Sequence, residues 1–268
     1  MNFISTNQLR LFRLRKATTQ SIFPSSMTID TIILDIEGTV CPISFVKDTL
    51  FPYFIAKLPA ELAKFDYPLN QVGSDNPIIN ILDNLPSNIT ESAQSVYDYL
   101  KNLVDSDIKD PVLKSLQGLI WTQGYDSGEL KAPIYPDSIE FIESFPNRKR
   151  KIFIYSSGSI GAQKLLFGHV DNGTDKSIDL NKKLSGYFDI TTAGHKTAYT
   201  SYSKILKEIG KEDDPQSVLF LSDNVDEVKA ALKAGIESYI VIRPGNAPIS
   251  DDDKLKYKTI TAMSQLGI

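Results

Sequence analysis

The chain has 268 residues, 41% hydrophobic and 23% charged, with a formal net charge of −4; this suits an ordinary globular protein with room for one large domain or a core plus a smaller one. The mild acidity gives no electrostatic reason to expect nucleic acid as a partner, and no apolar run approaches the ~20 residues needed to span a bilayer. A single cysteine, Cys41, excludes an intramolecular disulfide framework and fits a reducing compartment, and two histidines, His169 and His195, without an HExxH or Cys/His cluster argue against structural zinc.

Residues 1–29 carry Arg10, Arg13, Arg15 and Lys16, several Ser and Thr, and no acid before Asp30. That is the composition of a mitochondrial presequence, but the plainer readings are a disordered extension or a true start at Met27. The segment is set apart from the fold, and the expected compartment is the cytoplasm, with the nucleus as a second location.

Thr31-Ile32-Ile33-Leu34 then reads as a short buried strand running into Asp35, Ile36, Glu37, Gly38 and Thr39. Carboxylates at i and i+2 of an extended chain face the same side, Ile36 anchors the segment in a core, and Gly38 allows a sharp turn. Acids delivered to the end of an apolar strand need compensating partners, which suits metal binding or nucleophilic catalysis. From Phe45 to Lys131 β-branched alternation is scarce. Residues 45–64 and 92–125 have helical spacing, and the Asn- and Pro-rich stretch 69–92 reads as loops with short helical pieces. The spacing predicts a helical insertion over residues 45–131, and a core made of residues 30–44 and 132–268.

After Lys131 strands and helices alternate. A helix over 136–145 precedes a strand at Ile152–Tyr155, and a helix over 159–168 precedes a short strand at Phe188–Thr191. A helix over 200–209 precedes a strand at Val218–Leu221, a helix over 225–234 ends at Gly235, and Tyr239–Ile242 reads as the last strand. Continuous apolar strands alternating with helices predict an α/β fold with a parallel sheet covered on both faces. Ligands of such sheets sit beyond the carboxyl ends of the strands.

The residues after each strand are therefore the ones to inspect. They are Asp35 and Glu37; Ser156, Ser157 and Gly158; Gly194, His195 and Lys196; and Ser222, Asp223, Asn224, Asp226 and Glu227. Singly, each has a bland explanation as a helix cap or solvated charge. Together they suit phosphoryl transfer through an aspartyl phosphate. Asp35 would attack phosphorus, and Asp35 and Asp223 would hold Mg²⁺, with Glu37 adding a third oxygen through its carbonyl or a water and serving as general acid and base. Ser156 or Ser157 would grip phosphate at a helix N-terminus, Lys196 would neutralise charge, and Asp226 or Glu227 would orient Lys196 or a metal-bound water.

This constellation resembles the haloacid-dehalogenase superfamily, whose first motif usually carries Asp where Glu37 stands. The run from Asp35 through Thr39 and on through Pro42–Tyr53 is similar to the acireductone-synthase family, the enolase-phosphatases of methionine salvage. The likeness continues through Leu116-Gln117-Gly118 and Trp121, Ile154–Ser159, Ala162–His169, Gly194–Lys196, Leu219–Asp223 and Val241–Ala247. The resemblance implies a Rossmann-like haloacid-dehalogenase core with a helical cap inserted after the first catalytic motif. It implies Asp35, Glu37 and Asp223 at a Mg²⁺ site, and Ser156, Ser157 and Lys196 as substrate contacts. The implied reaction converts 2,3-diketo-5-methylthiopentyl-1-phosphate to acireductone and phosphate by enolisation followed by ester hydrolysis; the group that moves the carbon-bound proton stays open.

The insertion would act as a lid, with Phe45, Phe51, Trp121 and Tyr125 as candidates for contacting a methylthio tail or, more simply, for packing the helices. Cys41 reads as a packed small residue, and His195 as a residue that tunes Lys196 or reaches the substrate or, equally, makes a structural hydrogen bond. The expected partner is a small phosphorylated diketone, with no nucleic acid, no membrane and a monomeric chain. Two alternatives remain: a phosphatase of the same fold for another small ester, and a non-catalytic binding module.

Overall fold

The computed structural model describes residues 28–69, 75–147 and 149–268. The reading of the N-terminal extension lies outside the described residues up to position 27, whereas Ile29 is already buried in the core.

The described residues form six strands: β1 (Thr31–Leu34), β2 (Lys151–Tyr155), β3 (Gly186–Phe188), β4 (Val218–Ser222), β5 (Glu237–Val241) and β6 (Thr259–Ile260). They lie in the order β3-β2-β1-β4-β5-β6, and each adjacent pair is parallel. The apolar runs explain this directly, since a parallel strand covered on both faces has no polar side to offer. Ile32, Leu34 and Ile36 pack on one face with Ile142, Phe167 and Tyr239. Ile33, one step out of phase, packs on the other with Tyr155, Tyr202 and Phe220. That period-two alternation sends Asp35 to the opposite side from Ile36.

Between β1 and β2 the chain makes a π-helical turn at Val46–Leu50, then α1 (Phe51–Leu62), α2 (Pro77–Leu82), α3 (Ala93–Asp105), α4 (Pro111–Asp126) and α5 (Pro136–Ser144). The starts of α3 and α4 are legible in residues: Ser92 Oγ accepts from Ser95 N at 3.1 Å, and Asp110 Oδ1 accepts from Leu113 N at 3.0 Å with Pro111 in the first turn. Helices α1 to α4 bury a core of their own around Phe54, Leu58, Leu100, Leu116 and Ile120. Phe45, Leu50, Trp121 and Tyr125 pack instead with the sheet's core, and Trp121 Nε1 donates to Leu50 O at 2.9 Å. The helical block is thus fastened to the sheet by aromatic residues at both of its ends.

After β2 come α6 (Ile160–Gly168), α7 (Tyr199–Glu208), α8 (Val225–Lys233) and α9 (Asp251–Lys256). Two sequence expectations are corrected. The third strand runs over Gly186–Phe188 rather than Phe188–Thr191, because the Asp189 carboxylate accepts from the backbone N–H groups of Thr191 and Thr192 and folds that segment into a turn. Tyr239–Ile242 is not the last strand either: β6 pairs beyond it, too short to show an apolar pattern. Among the described residues no helix is long and apolar enough to cross a membrane.

Arg243 closes the structure around the first turn. Its buried guanidinium donates to Thr39 O at 3.0 Å, Thr261 O at 3.1 Å, Asp137 Oδ2 at 2.9 Å and Ser138 Oγ at 3.1 Å. Replacing it leaves buried acceptors without donors, a more costly event than losing an exposed ion pair. Arg243→Met is expected to lower unfolding stability by about 2–4 kcal/mol in a urea titration.

Candidate active site

Four segments deliver side chains to the carboxyl edge of the sheet. Asp35 follows β1 by one residue, and its own N–H still pairs with Leu221 O of β4 at 2.9 Å, which fixes where the carboxylate emerges. Asp35 Oδ1 accepts from Ile36 N at 2.8 Å and from Lys196 Nζ at 2.5 Å, while Oδ2 accepts from Ser222 Oγ at 3.2 Å. Lys196 Nζ also reaches Glu227 Oε2 at 2.7 Å, and Ser222 Oγ lies 2.8 Å from the same oxygen. Lys196, Asp35 and Glu227 are all buried.

The loop that carries Lys196 is pinned from the second core. Tyr155 Oη donates to Gly194 O at 2.7 Å, Ser201 Oγ to His195 O at 2.8 Å, and Tyr202 Oη to Lys196 O at 2.7 Å. Burial alone would push the Lys196 ammonium down, but the Asp35 and Glu227 carboxylates outweigh it and hold the group above its ordinary range. His195 itself is exposed.

The acids outnumber this one buried cation. Glu37 is pushed up to about 7, chiefly by burial and then by the charge of Asp35, with Lys109 and Lys196 opposing. Asp223 is likewise pushed up to about 7 by burial, then by Asp35 and Glu227. Glu227 is raised by burial and by Asp35, with Lys196 opposing. Four carboxylates around one ammonium leave an excess of negative charge that a hard divalent cation would relieve. Among the described residues no three His, Cys, Asp or Glu side chains gather as a self-sufficient chelate. Asp35 and Asp223 bring two carboxylates to the strand ends, a donor set that fits Mg²⁺, which takes one or two carboxylates and keeps several waters.

Gly38 shows how tightly that set is drawn. Its φ is +69°, and a Cβ there would lie 2.4 Å from Asp223 Oδ2 and 2.9 Å from Asn246 Oδ1. Asn246 Nδ2 donates to Gly38 O at 2.9 Å, tying the turn to the segment after β5.

The bland explanations fail at several positions because other residues do the capping. Ser159, not Ser156 or Ser157, caps α6. Asn224, not Asp223, caps α8, accepting from Asp226 N at 2.9 Å and Glu227 N at 3.3 Å. Ser156 is buried with its Oγ accepting from Gly158 N at 3.2 Å, and Ser157 is half-buried beside it. Asp226 is the expectation that needs correction. Adjacent residues on a helix point about 100° apart, so Glu227 turns inward to Lys196 while Asp226 is exposed and pairs with Lys229 at 3.2 Å.

A cavity of about 130 Å³ lies between α3, α4, α6 and the strand ends, lined by Glu37, Ser156, Ser157, Phe51, Trp121 and Tyr125 among others. Phe51 and Trp121 stack at 6.4 Å, and Phe45 stays in the core away from the cavity. Buried Cys41 also stays out of it, its thiol pushed up by burial and by Glu37. Sequence reasoning gave no role to Lys109, Gln117 or Gln163, which line the cavity from the α3–α4 connection, α4 and α6. A polar residue inside an otherwise apolar helical stripe was the available signal for the two glutamines.

The haloacid dehalogenase-like hydrolase family matches residues 29–235. The chain is 63% identical over 254 residues to a Candida albicans protein named enolase-phosphatase E1, covering 90% of this chain and 96% of the relative. It is 65% identical over 244 residues to a Candida tropicalis protein of the same name, covering 90% and 100%. This chain belongs to the enolase-phosphatase family of haloacid dehalogenase-like hydrolases. Among solved structures, the UTR4 protein of Saccharomyces cerevisiae superposes with a TM-score of 0.76 at 47% identity, covering 88% of this chain and 98% of that one. A dehalogenase at 14% identity and a TM-score of 0.51 shares the fold alone.

For a member of this family the crowding at Gly38 yields a sharp expectation. Gly38→Ala must displace the Asp223 carboxylate, and misplacing one reacting group by about 1 Å costs on the order of 10²-fold in rate. Its kcat/KM for phosphate release should fall by about that factor, while thermal unfolding shifts only by the ~1–2 kcal/mol of a left-handed alanine. Steady-state phosphate assays and a melting curve measure both.

Proposed function

We propose that this chain is an enolase-phosphatase that converts 2,3-diketo-5-methylthiopentyl-1-phosphate into acireductone and inorganic phosphate. The observation that carries the reading is the buried Lys196 ammonium shared between Asp35 and Glu227 at the strand ends, with Glu37 facing the adjoining cavity. Relatives at 59–65% identity named enolase-phosphatase support the substrate class.

In the hydrolytic stage an Asp35 carboxylate oxygen bonds to phosphorus and the ester P–O bond breaks. The electron pair leaves on the substrate oxygen, which takes a proton from Glu37. A water then attacks the aspartyl phosphate and returns a proton to Glu37; the bond between phosphorus and the Asp35 oxygen breaks, freeing phosphate. Lys196 offsets the negative charge of nucleophile and phosphoryl group together, and Ser156 and Ser157 hold phosphate oxygens at the start of α6. Glu227 keeps the Lys196 ammonium in place.

Enolisation precedes this stage. The double bond of the product joins the phosphate-bearing carbon to its neighbour, so the proton to be removed sits next to the ester. Burial brings both Glu37 and Asp223 to about 7, a value suited to such a base, and of the two Glu37 lines the cavity. Glu37 takes the carbon-bound proton and passes it to the neighbouring carbonyl oxygen, which becomes the enol O–H, and is reprotonated from solvent before the hydrolytic stage. Asp35, Asp223 and an oxygen of Glu37 would hold Mg²⁺, which when bound offsets phosphate charge and acts as a Lewis acid toward the enolate oxygen. The helical block over residues 45–131 serves as the cap that keeps water from the cavity.

Turnover of the diketo phosphate, followed through phosphate release and enol absorbance together, tests the reading. Both signals should require Mg²⁺ and vanish on chelation; phosphate release without any enol product would point to another ester as substrate. Asp35→Asn should reduce phosphate release by at least about 10³-fold, the scale of a lost nucleophile. Unchanged Mg²⁺-dependent release would remove Asp35 from that role. Glu37→Gln separates the stages: loss of both signals fits one shared acid and base, whereas persistent enol formation assigns the carbon-bound proton to another group.

A further inference from the structure

Side chains that line the cavity carry buried polar atoms that have no hydrogen-bond partner among the described residues. Gln117 and Tyr125 stand on α4 at i and i+8 with Trp121 between them, a spacing that puts all three on one helix face, and all three line the cavity. Gln117 Nε2 and Tyr125 Oη have no hydrogen-bond partner among the described residues. On α6, Gln163 uses Nε2 to donate to Gly158 O at 2.8 Å and Phe188 O at 2.9 Å, which fixes the orientation of its amide. Its Oε1 is left without a partner, and Gln163 lines the same cavity. Gln117 and Gln163 are both more than nine-tenths buried.

A buried amide atom left unpaired costs about 1–3 kcal/mol, so such groups ask for an explanation. The two glutamines that carry them line one cavity: Gln163, held by its Nε2 bonds, offers an acceptor, and Gln117, whose amide can present either atom, can offer a donor. The chemistry proposed above needs this combination. A 2,3-diketone has two adjacent acceptors; after enolisation one oxygen has become an O–H donor and its neighbour is still a carbonyl acceptor.

We infer that Gln117 is the residue that selects substrates with adjacent carbonyl groups: its Nε2 donates to the carbonyl that persists, while Gln163 Oε1 accepts the O–H of the enol that forms. This inference rests on the enolase-phosphatase reading. The apolar walls of the cavity, including Phe51 and Trp121, strengthen both hydrogen bonds by excluding water. Gln117 acts here as a specificity residue and takes no part in bond breaking.

The test compares two phosphate monoesters, the diketo phosphate and pentyl phosphate, which keeps a five-carbon chain and lacks both carbonyls. The parent chain is measured first, and failure to turn over the diketo phosphate would reject the function itself rather than the role of Gln117. In Gln117→Leu the ratio of kcat/KM for the diketo phosphate to that for pentyl phosphate should fall about 10- to 100-fold, the cost of losing one buried hydrogen bond to substrate. The melting temperature should not fall, because the substitution removes an unpaired buried amide. A ratio within twofold of the parent overturns the inference, and so does an equal loss on both esters with a lowered melting temperature, the signature of a structural role. If the leucine variant does not fold, Gln117→Met keeps the unbranched shape and is judged by the same ratio.

Discussion

The arrangement at the strand ends turns on one buried ammonium. Lys196 lies 2.5 Å from Asp35 and 2.7 Å from Glu227, and each of these groups would be expensive to bury alone, by several kcal/mol per ion. The three come from different places: the residue after β1, the loop after β3, and the first turn of α8. They meet only because β1 occupies the middle of the sheet, with β2 and β3 on one side and β4 on the other. Fixing the lysine therefore fixes how three loops sit relative to one another. The Tyr155, Ser201 and Tyr202 hydroxyls do that fixing from the apolar side, where their bonds to backbone carbonyls are not contested by water.

A second consequence follows from charge. Lys196 is matched by Asp35 and Glu227, so Glu37 and Asp223 are left without a buried cation of their own, and burial pushes both up to about 7. A protein that needed these acids only for stability would gain by replacing them with apolar residues of similar size. Gly38 instead lets the Asp223 carboxylate approach so closely that the turn has no room for a methyl group. The crowding is understandable as preparation for positive charge that arrives with a ligand, since donors held in place in advance need no reorganisation when it binds.

Much of this was legible in the sequence. Continuous apolar runs at Ile32–Leu34, Ile152–Tyr155 and Val218–Leu221 left little alternative to buried parallel strands, and the residues after them led to Asp35, to Ser156 and Ser157, and to Asp223. What could not be read is instructive. A stretch of acids and amides such as Asp223-Asn224-Val225-Asp226-Glu227 does not reveal which member caps the helix; Asn224 does, and helical rotation then sends Glu227 inward and Asp226 outward. The boundary of β3 moved because Asp189 captures two backbone N–H groups, a local competition invisible to an apolar pattern. Gln117 and Gln163 were hidden for a different reason. In sequence they interrupt helices that read as ordinary packing, and only the folded chain shows that their spare amide atoms border one cavity.

The position of Glu37 connects the two halves of the site. A carboxylate one methylene longer than aspartate extends further from the turn after β1, and here it lines the cavity along with Gln117, Gln163, Ser156 and Ser157. On the proposed reading this reach matters because the carbon-bound proton and the ester oxygen belong to the same carbon of the substrate. One carboxyl group near neutrality can serve both atoms if phosphate is held at the start of α6 while the adjacent oxygens are held between α4 and α6. On the same reading the strand ends supply the phosphoryl transfer. The polar atoms on two helices decide which carbon skeleton can present itself to that chemistry, so specificity and catalysis meet at Glu37 without sharing any other side chain.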